Sequence, residues 1–566
     1  MNRMLLLGAA MLTAGTALAD WGTDNQSPIA VFPSDTRSYA TEIKAAADGS
    51  IWSMIYHPNL READDEYDTD NVVYEYRLQH FDANGNPTFP AEGIMLCDYA
   101  NWSYTVVNDY LMVDRDGNAI VVAHDCRNSS SKGKSYTAYK VNAKGEMLWG
   151  EDGVAVSDPL KPADFSAFMS MVELEDGSFV FAWQEMESGS GASHIYLQRL
   201  SKDGKALWDS DKLAVTDEVT GYPYLVNSGD NTCIMVYGRT SSAVLYARKL
   251  DFEGESVWGK DTRIYRGGWG SVPLQTILHV TSSGNGGVLV SWSDDRLSEN
   301  IESAYISYVD ADGKLGFAGQ SDDADVKLCY DGWRCFNVCS VPAADGSCFY
   351  SIWRRTDGDQ RFQGVMMQRI SLTGDLMWGD EAKELQPLQE ASMGYISLQQ
   401  AGESDACAFF EIYRSYFDQQ CYASRFDKDG AYVWADEIIE ISENGRKAAD
   451  LASQPYVDGS YICTWDDGGT SETDKATTYM MTRLNDNGTF GLPDTGVENT
   501  VADTEASFGF NGSCLYGPDG AKVCVYTVAG AHVDDYILAG GSAPVNLPAG
   551  FYVASVAGQT VKFVVK

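Results

Sequence analysis

Cations are scarce in this chain. Its 566 residues hold 41 Lys and Arg against 81 Asp and Glu, a formal net charge of −40. A surface that grips a phosphate backbone needs clustered Lys and Arg, so nucleic acid is excluded as a partner. Histidine is rarer still, with six in all. No CxxC pair or Cys/His cluster has zinc spacing, which excludes a zinc centre and leaves no histidine-rich metal site. After the N-terminal segment no run is apolar enough to cross a bilayer, which takes about 20 apolar residues. HExxH, a nucleophile elbow and a phosphate-cradling loop are also missing. "SSGNGG" (282–287) is Gly-rich, but no helix or Lys follows it.

What is present begins with an address. "MNRMLLLGAAMLTAGTALAD" has Arg3, an apolar run from Met4 to Leu12, and Ala17-Leu18-Ala19 before Asp20. That order predicts a secretory signal peptide over residues 1–19, cut at Ala19/Asp20. Export permits disulfides among the 12 Cys. Cys407 and Cys421 flank the hairpin "CAFFEIYRSYFDQQC", and Cys339 and Cys348 flank "CSVPAADGSC". Cross-strand bridges and buried free thiols are equally open readings there. With 16 Pro, 54 Gly, 12% aromatics and short runs of Val, Ile, Tyr and Trp, the composition predicts an all-β chain.

One phrase is written repeatedly. "NAKGEMLW" (142–149), "SKDGKALW" (201–208) and "DKDGAYVW" (427–434) share a D-x-x-G-x-x-x-W-like pattern. Its glycines are Gly85, Gly145, Gly204, Gly254, Gly313, Gly374, Gly430 and Gly488, spaced 50 to 61 residues apart. Each interval reads as four short strands, the third usually ending in an aromatic such as Trp183, Trp292, Trp353 or Trp465. Units that cannot bury a face alone must stack, and four antiparallel strands per unit predict propeller blades. Eight units fit between residues 27 and 485, the first running from "SPIAVF" to "VYEYRLQHF". The fold predicted is an all-β, eight-bladed β-propeller of four-stranded antiparallel blades over 20–494. Seven blades is the alternative, and a small β-sandwich over 495–566 follows. The repeated Trp residues read as blade packing. The basic residue of the fourth strand (Lys140, Arg199, Lys249, Arg369, Arg425, Arg483) reads as an outer-edge charge that discourages sheet association.

In the tail, "VCVYTVAGAHV" (523–533), "NLPAGFYVASV" (546–556) and the terminal "VKFVVK" (561–566) alternate apolar and polar residues. These stretches resemble the C-terminal sorting domain of the type IX (Por) secretion system of Bacteroidota. The resemblance covers roughly the last 70 residues. It implies passage through the type IX machinery and a cell-surface or released product, and it says nothing of the cargo's chemistry. The repeats, with "W-x-D-D-R" at Trp292 to Arg296, look like the propeller cargo such tails often carry.

The repeat turn invites comparison with the Asp box of sialidases, Ser-x-Asp-x-Gly-x-Thr-Trp. But Asp203 adjoins Gly204 instead of preceding it by two. The turn also reads as a link between one blade's fourth strand and the next blade's first, whereas the Asp box joins third to fourth. No cofactor is expected. "DADG" (310–313) and "DKDG" (427–430) lack the alternating acids and closing Glu of an EF-hand, which leaves incidental Ca²⁺ binding.

Antiparallel geometry puts the variable loops after the first and third strands on one face, where function usually resides. Trp102, Trp269 and Trp333, with Arg266, Arg296, Arg334, Arg354 and Arg355, stand out in those loops. Aromatic platforms with interspersed Arg suit sugar rings, peptides or acidic glycans. The reading is an exported binding protein for a glycan or protein ligand. The alternatives are a secreted glycoside hydrolase or lyase on the same scaffold, sialidase-like, and a structural surface component.

Overall fold

The computed structural model describes residues 21–32, 39–59, 73–101, 111–125, 135–160, 164–209, 212–214, 220–239, 244–265, 278–296, 301–317, 325–470, 478–492, 508–510, 513–527, 531–556 and 559–565. The chain forms two compact units, Met1–Pro493 and Asp494–Lys566.

The first unit is a β-propeller. Sheet A fuses two sets of four strands, Tyr39–Ala45, Ile51–Asn59, Val73–Phe81, Ile94–Asn101 and then Leu111–Val113, Ala119–Asp125, Ser135–Val141, Val154–Ala155. Among the described residues the two sets pair through Ala100–Asp125. Sheet B is Phe165–Glu173, Phe179–Met186 and Ser193–Leu200, with a bridge from Tyr196 to Leu213 marking its outer edge. Sheet C is Thr220–Gly229, Thr232–Arg239, Val244–Leu250 and Thr262–Tyr265, and sheet D is His279–Ser282, Val288–Asp294, Ser303–Val309 and Asp325–Lys327. Sheet E is Arg334–Pro342, Cys348–Thr356, Gln363–Ser371 and Lys383–Gln389, and sheet F is Ser392–Ala401, Asp405–Ser415, Asp418–Phe426 and Ile439–Glu440. Sheet G takes Ala448–Pro455, Tyr461–Asp467 and Thr478–Leu484 from the end of the unit and Ile29–Phe32 from its beginning. The strand pairs within each sheet are antiparallel, and the first strands of successive sheets pack side by side as the inner wall.

Two sequence expectations are corrected by this connectivity. The short strand after each repeat turn is the outer strand of the sheet already in progress, as Val154–Ala155 on Ser135–Val141 shows. The repeat turn therefore joins third to fourth strand, so its position no longer separates it from the Asp box. Ring closure also runs the other way. Ile29–Phe32 pairs with Thr478–Leu484, so the N-terminal strand completes the last sheet, not the first. One sheet thus contains both ends of the ring, and the N-terminal strand covers the edge that Thr478–Leu484 would otherwise expose.

The repeat turn explains its own spelling. Asp82, Asp251, Asp310 and Asp427 each accept, through Oδ1, the backbone N–H groups two and four residues on. The Oδ1 atoms of Asp310 and Asp427 thus staple their turns. Each Trp reaches onward to the next turn. Trp149, Trp208, Trp258, Trp378 and Trp434 donate Nε1–H to the carbonyls of Lys202, Phe252, Ala311, Lys428 and Asp486. Gly204 has φ +78°, and a Cβ there would sit 2.8 Å from the Trp149 ring, so both the turn and the clamp require glycine.

The basic residue of the third strand is not an outer-edge charge. Lys140 is 3% exposed and pairs with Asp114 at 2.8 Å. Arg199 bonds the Phe252 carbonyl, Lys249 that of Ala311, Arg369 that of Lys428 and Arg425 that of Asp486. These residues join sheet to sheet because their stems lie in the groove between neighbours.

The cross-strand disulfides are not formed. Register sets Cys407 opposite Arg425 and Cys421 opposite Glu411, and Cys339 opposite Ile352 with Cys348 opposite Ser371. All four are free thiols, and burial raises the pKa of Cys339 to about 12.

The second unit has two sheets, one of Gly509–Phe510, Cys514–Tyr516 and Ser542–Pro544, the other of His532–Ile537, Lys522–Thr527, Gly550–Val556 and Gln559–Val565. They share a core that includes Leu515, Val523, Val525, Leu538, Ala554 and Phe563.

Candidate functional site

The innermost strands are not regular. In sheets B, C, E, F and G two residues of the first strand oppose one of the second, between Ala167 and Ser170, Gly221 and Tyr224, Phe336 and Cys339, Met393 and Ile396, and Ala449 and Ala452. One extra residue forces a bulge, and a bulge re-aims its side chain. The residues at this position are Phe168, Tyr222, Asn337, Tyr395 and Asp450. Four of them hold left-handed backbone, with φ of 55° at Phe168, 59° at Tyr222, 53° at Asn337 and 58° at Asp450. That conformation is costly for bulky side chains, and it recurs around the loop-face end of the inner wall, the axial mouth.

The bulges are held by polar side chains of the second strands. Gln184 Oε1 accepts the Tyr222 N–H at 3.1 Å, from the next sheet. Glu411, wholly buried, accepts the Tyr395 N–H at 2.9 Å with one oxygen and the Leu451 N–H of the next sheet with the other. Arg354 Nη1 donates to the Met393 carbonyl of the next sheet at 2.8 Å. Gly221 and Gly394 are required here. A Cβ would meet Gln184 Oε1 at 2.5 Å in the first case and Glu411 Oε2 at 1.9 Å in the second.

The mouth has two chemically distinct sides. On one, the rings of Phe168 and Tyr222 lie 4.5 Å apart at 49°. On the other, three carboxyls approach each other. Burial and then the Asp450 charge push Asp466 up to about 7. Burial likewise raises Glu411 and Asp450, the latter opposed by Lys447. Tyr395, 54% exposed, stands beside this group, its phenol raised by burial and then by Asp450 and Glu411. Such an arrangement stacks an apolar ring face on one flank and exchanges protons or hydrogen bonds on the other.

Of the loop residues singled out in sequence, Trp102, Trp269 and Arg266 lie outside the described residues. Trp333 is 40% exposed in the crossover from sheet D to sheet E. Arg296 is drawn inward, pairing with Asp294 and Asp325 at 2.5 Å and lying over the rings of Tyr265, Trp292 and Tyr305. Arg334 pairs with Glu302 at 2.7 Å, and Arg355 with Asp331 at 3.2 Å and Glu384 at 2.5 Å. Arg354 differs: its guanidinium lies over Phe336, and burial lowers its pKa with no carboxylate opposing.

Sequence reasoning missed the five bulge residues. Their strands looked merely less regular, and a one-residue insertion inside a strand leaves no composition signal. Among the described residues no group of three or more His, Cys, Asp or Glu is placed to hold a metal ion, and no helix is long and apolar enough to cross a membrane. A cavity of about 260 Å³ lies on the inner wall toward the opposite face, lined by Lys44, Ala45, Leu111, Met112, Val113 and Met171. A second, also about 260 Å³, sits at the ring closure between Asn25–Pro28 and Arg446, Trp465 and Asp467.

No family model matches the chain, and no curated protein does. Among solved structures it is similar to the Dos1 propeller at 11% identity and a TM-score of 0.42, over 82% of this chain and 95% of that one. The polysaccharide lyase Uly1 shares 10% identity at a TM-score of 0.38, over 70% of this chain and 93% of that one. The Penicillium chrysogenum α-L-arabinanase complexed with arabinobiose shares 12% at 0.31, over 57% of this chain and 94% of that one.

Proposed function

We propose that this chain is an exported propeller that binds a saccharide at the axial mouth of its loop face. Counting the two halves of sheet A as separate blades gives a ring of eight, in keeping with the eight repeat units of the sequence. The tail, read as a small β-sandwich, serves as the sorting domain recognised by the type IX machinery, with the leader over 1–19 opening the export route. The product is then held at the outer cell surface or released.

One observation carries the binding reading. Phe168 and Tyr222 come from different sheets, both in left-handed backbone, and their rings meet at the mouth. A sugar ring stacks on such a platform through its C–H face, while Asn337 and Asp450, at the same repeat position, suit its hydroxyls. Trp333 and the exposed Tyr330 extend the aromatic surface in one crossover. The test is a glycan array probed with the full chain and with the Phe168→Ala/Tyr222→Ala variant. The reading expects saccharide signals that the variant loses; a variant retaining every wild-type signal would remove the mouth from the account.

A second reading draws on Asp466. A carboxyl raised to about 7 beside Asp450 is a proton donor at neutral pH, and paired carboxyls of different pKa cleave glycosidic bonds. Turnover of a bound saccharide, lost in Asp466→Asn, distinguishes a hydrolase from a binding protein.

A further inference from the structure

We propose that Arg354 is the anion-recognising residue of the axial mouth, and that the saccharide bound there carries a carboxylate, as a uronic acid does. This deepens the saccharide reading and rests on it.

Three other loop-face arginines of sheets D and E are neutralised, Arg296 by Asp294 and Asp325, Arg334 by Glu302, and Arg355 by Asp331 and Glu384. Arg354 is half-buried and makes no ion pair among the described residues. Among the described residues its Nη1 donates to the Met393 carbonyl, its Nε is shielded from water with no acceptor, and Nη2 makes no hydrogen bond. A desolvated cation without a counter-ion is costly, in a chain with 81 acidic residues available to supply one. Withholding the counter-ion leaves the charge for something that arrives.

Placement supplies the rest. Arg354 is directly opposite Phe336, the residue before the Asn337 bulge, and its bond to Met393 sets it two residues from Tyr395 in the next sheet. It therefore stands between two of the five bulge residues. The equivalent positions in sheets B, C, D, F and G hold Gln184, Gly238, Ser293, Glu411 and Asp466, so among these sheets Arg354 is a single cation in a position otherwise neutral or acidic. The Phe336 ring lies 5.4 Å from its guanidinium and 5.2 Å from that of Arg334, holding its plane. A planar, permanently charged guanidinium fixed this way suits a carboxylate better than a hydroxyl. The exposed Tyr395 ring beside it is positioned to carry the sugar that bears the acid.

The experiment is isothermal titration of the full chain with a galacturonate trisaccharide, its neutral galactose counterpart and a sulfated counterpart. The same titrations are run on Arg354→Met and Arg354→Lys. The expected result is uronate binding on the order of tenfold tighter than neutral, with Arg354→Met bringing the two affinities together. Arg354→Lys retains the charge but not the fork, and is expected to lose several-fold for uronate. Equal wild-type affinity for uronate and neutral sugar overturns the inference and leaves the saccharide reading standing. Sulfate preferred over uronate overturns the carboxylate assignment. Should Arg354→Met fail to fold, unchanged uronate affinity in Arg354→Lys overturns it. Absence of binding to all three sugars overturns both the inference and the reading beneath it.

Discussion

Arg199 Nη1 and Trp208 Nε1 donate to one oxygen, the Phe252 carbonyl, at 2.6 and 3.1 Å. The arrangement repeats at Lys140 and Trp149 on Lys202, at Lys249 and Trp258 on Ala311, at Arg369 and Trp378 on Lys428, and at Arg425 and Trp434 on Asp486. A basic side chain and an indole from one sheet thus hold the turn of the next. Trp434→Phe, which keeps most of the ring and removes the N–H, should cost about 1–2 kcal/mol. Trp434→Ala should cost about 3–5 kcal/mol. Urea denaturation of the two variants checks the difference.

Glycine in the repeat turn answers to two constraints that one pair of variants separates. Gly117, in the turn between Leu111–Val113 and Ala119–Asp125, has φ +82° with nothing within 4 Å of a Cβ, whereas Gly204 in the repeat turn has φ +78° with Trp149 at 2.8 Å. Gly117→Ala should cost only the left-handed strain, about 1–2 kcal/mol. Gly204→Ala should cost about 1–3 kcal/mol more, because the Trp149 ring must move. Equal losses would mean the indole does not clamp the turn.

Closure from the N-terminus makes the ring divisible. Trp21 is 3% exposed and donates Nε1–H to the Ala83 carbonyl at 3.0 Å, as the other clamp tryptophans do to their next turns. Deleting residues 21–32 should expose the edge of Thr478–Leu484 and lower the melting temperature. A peptide of residues 21–32 added in trans should restore it by strand addition. Failure of the peptide to raise the melting temperature would contradict closure by this segment.

The acids of the mouth make stability fall with rising pH. Asp466 moves from 3.8 to about 7 on folding, so the folded state holds its proton across that window while the unfolded state has lost it. The contribution is fully present below about pH 4 and is lost as pH rises through 7. Glu411 and Asp450 act in the same direction. Denaturation midpoints between pH 5 and pH 8 should decline in the wild type and decline less in Asp466→Asn.

The repeat was legible because its parts recur: an Asp, Asn or Ser opening the turn, the left-handed Gly in all eight units, and in five of them the Trp that caps the next turn. The grouping of strands into sheets was not. "GVAVSD" follows its turn as readily whether it opens a new sheet or closes the current one, and only the pairing of Val154 with Ala138 decides. Nor does Ile29–Phe32 announce a partner nearly 450 residues away. Arg296 and Arg354 look alike as loop cations in sequence; the first is neutralised by Asp325, 29 residues on, and the second by no carboxylate among the described residues. The bulge residues were invisible because Phe168 and Tyr222 read as ordinary strand aromatics until the backbone places an extra residue there.

The axial mouth as ligand seat is tested most directly by hydrogen exchange of the full chain with and without a saccharide that binds it. The account expects slowed exchange at the bulges, around residues 167–170, 221–224, 336–339, 393–396 and 449–452, and little change at the repeat turns on the opposite face. Protection confined to those turns, or to the outer strands, would contradict it.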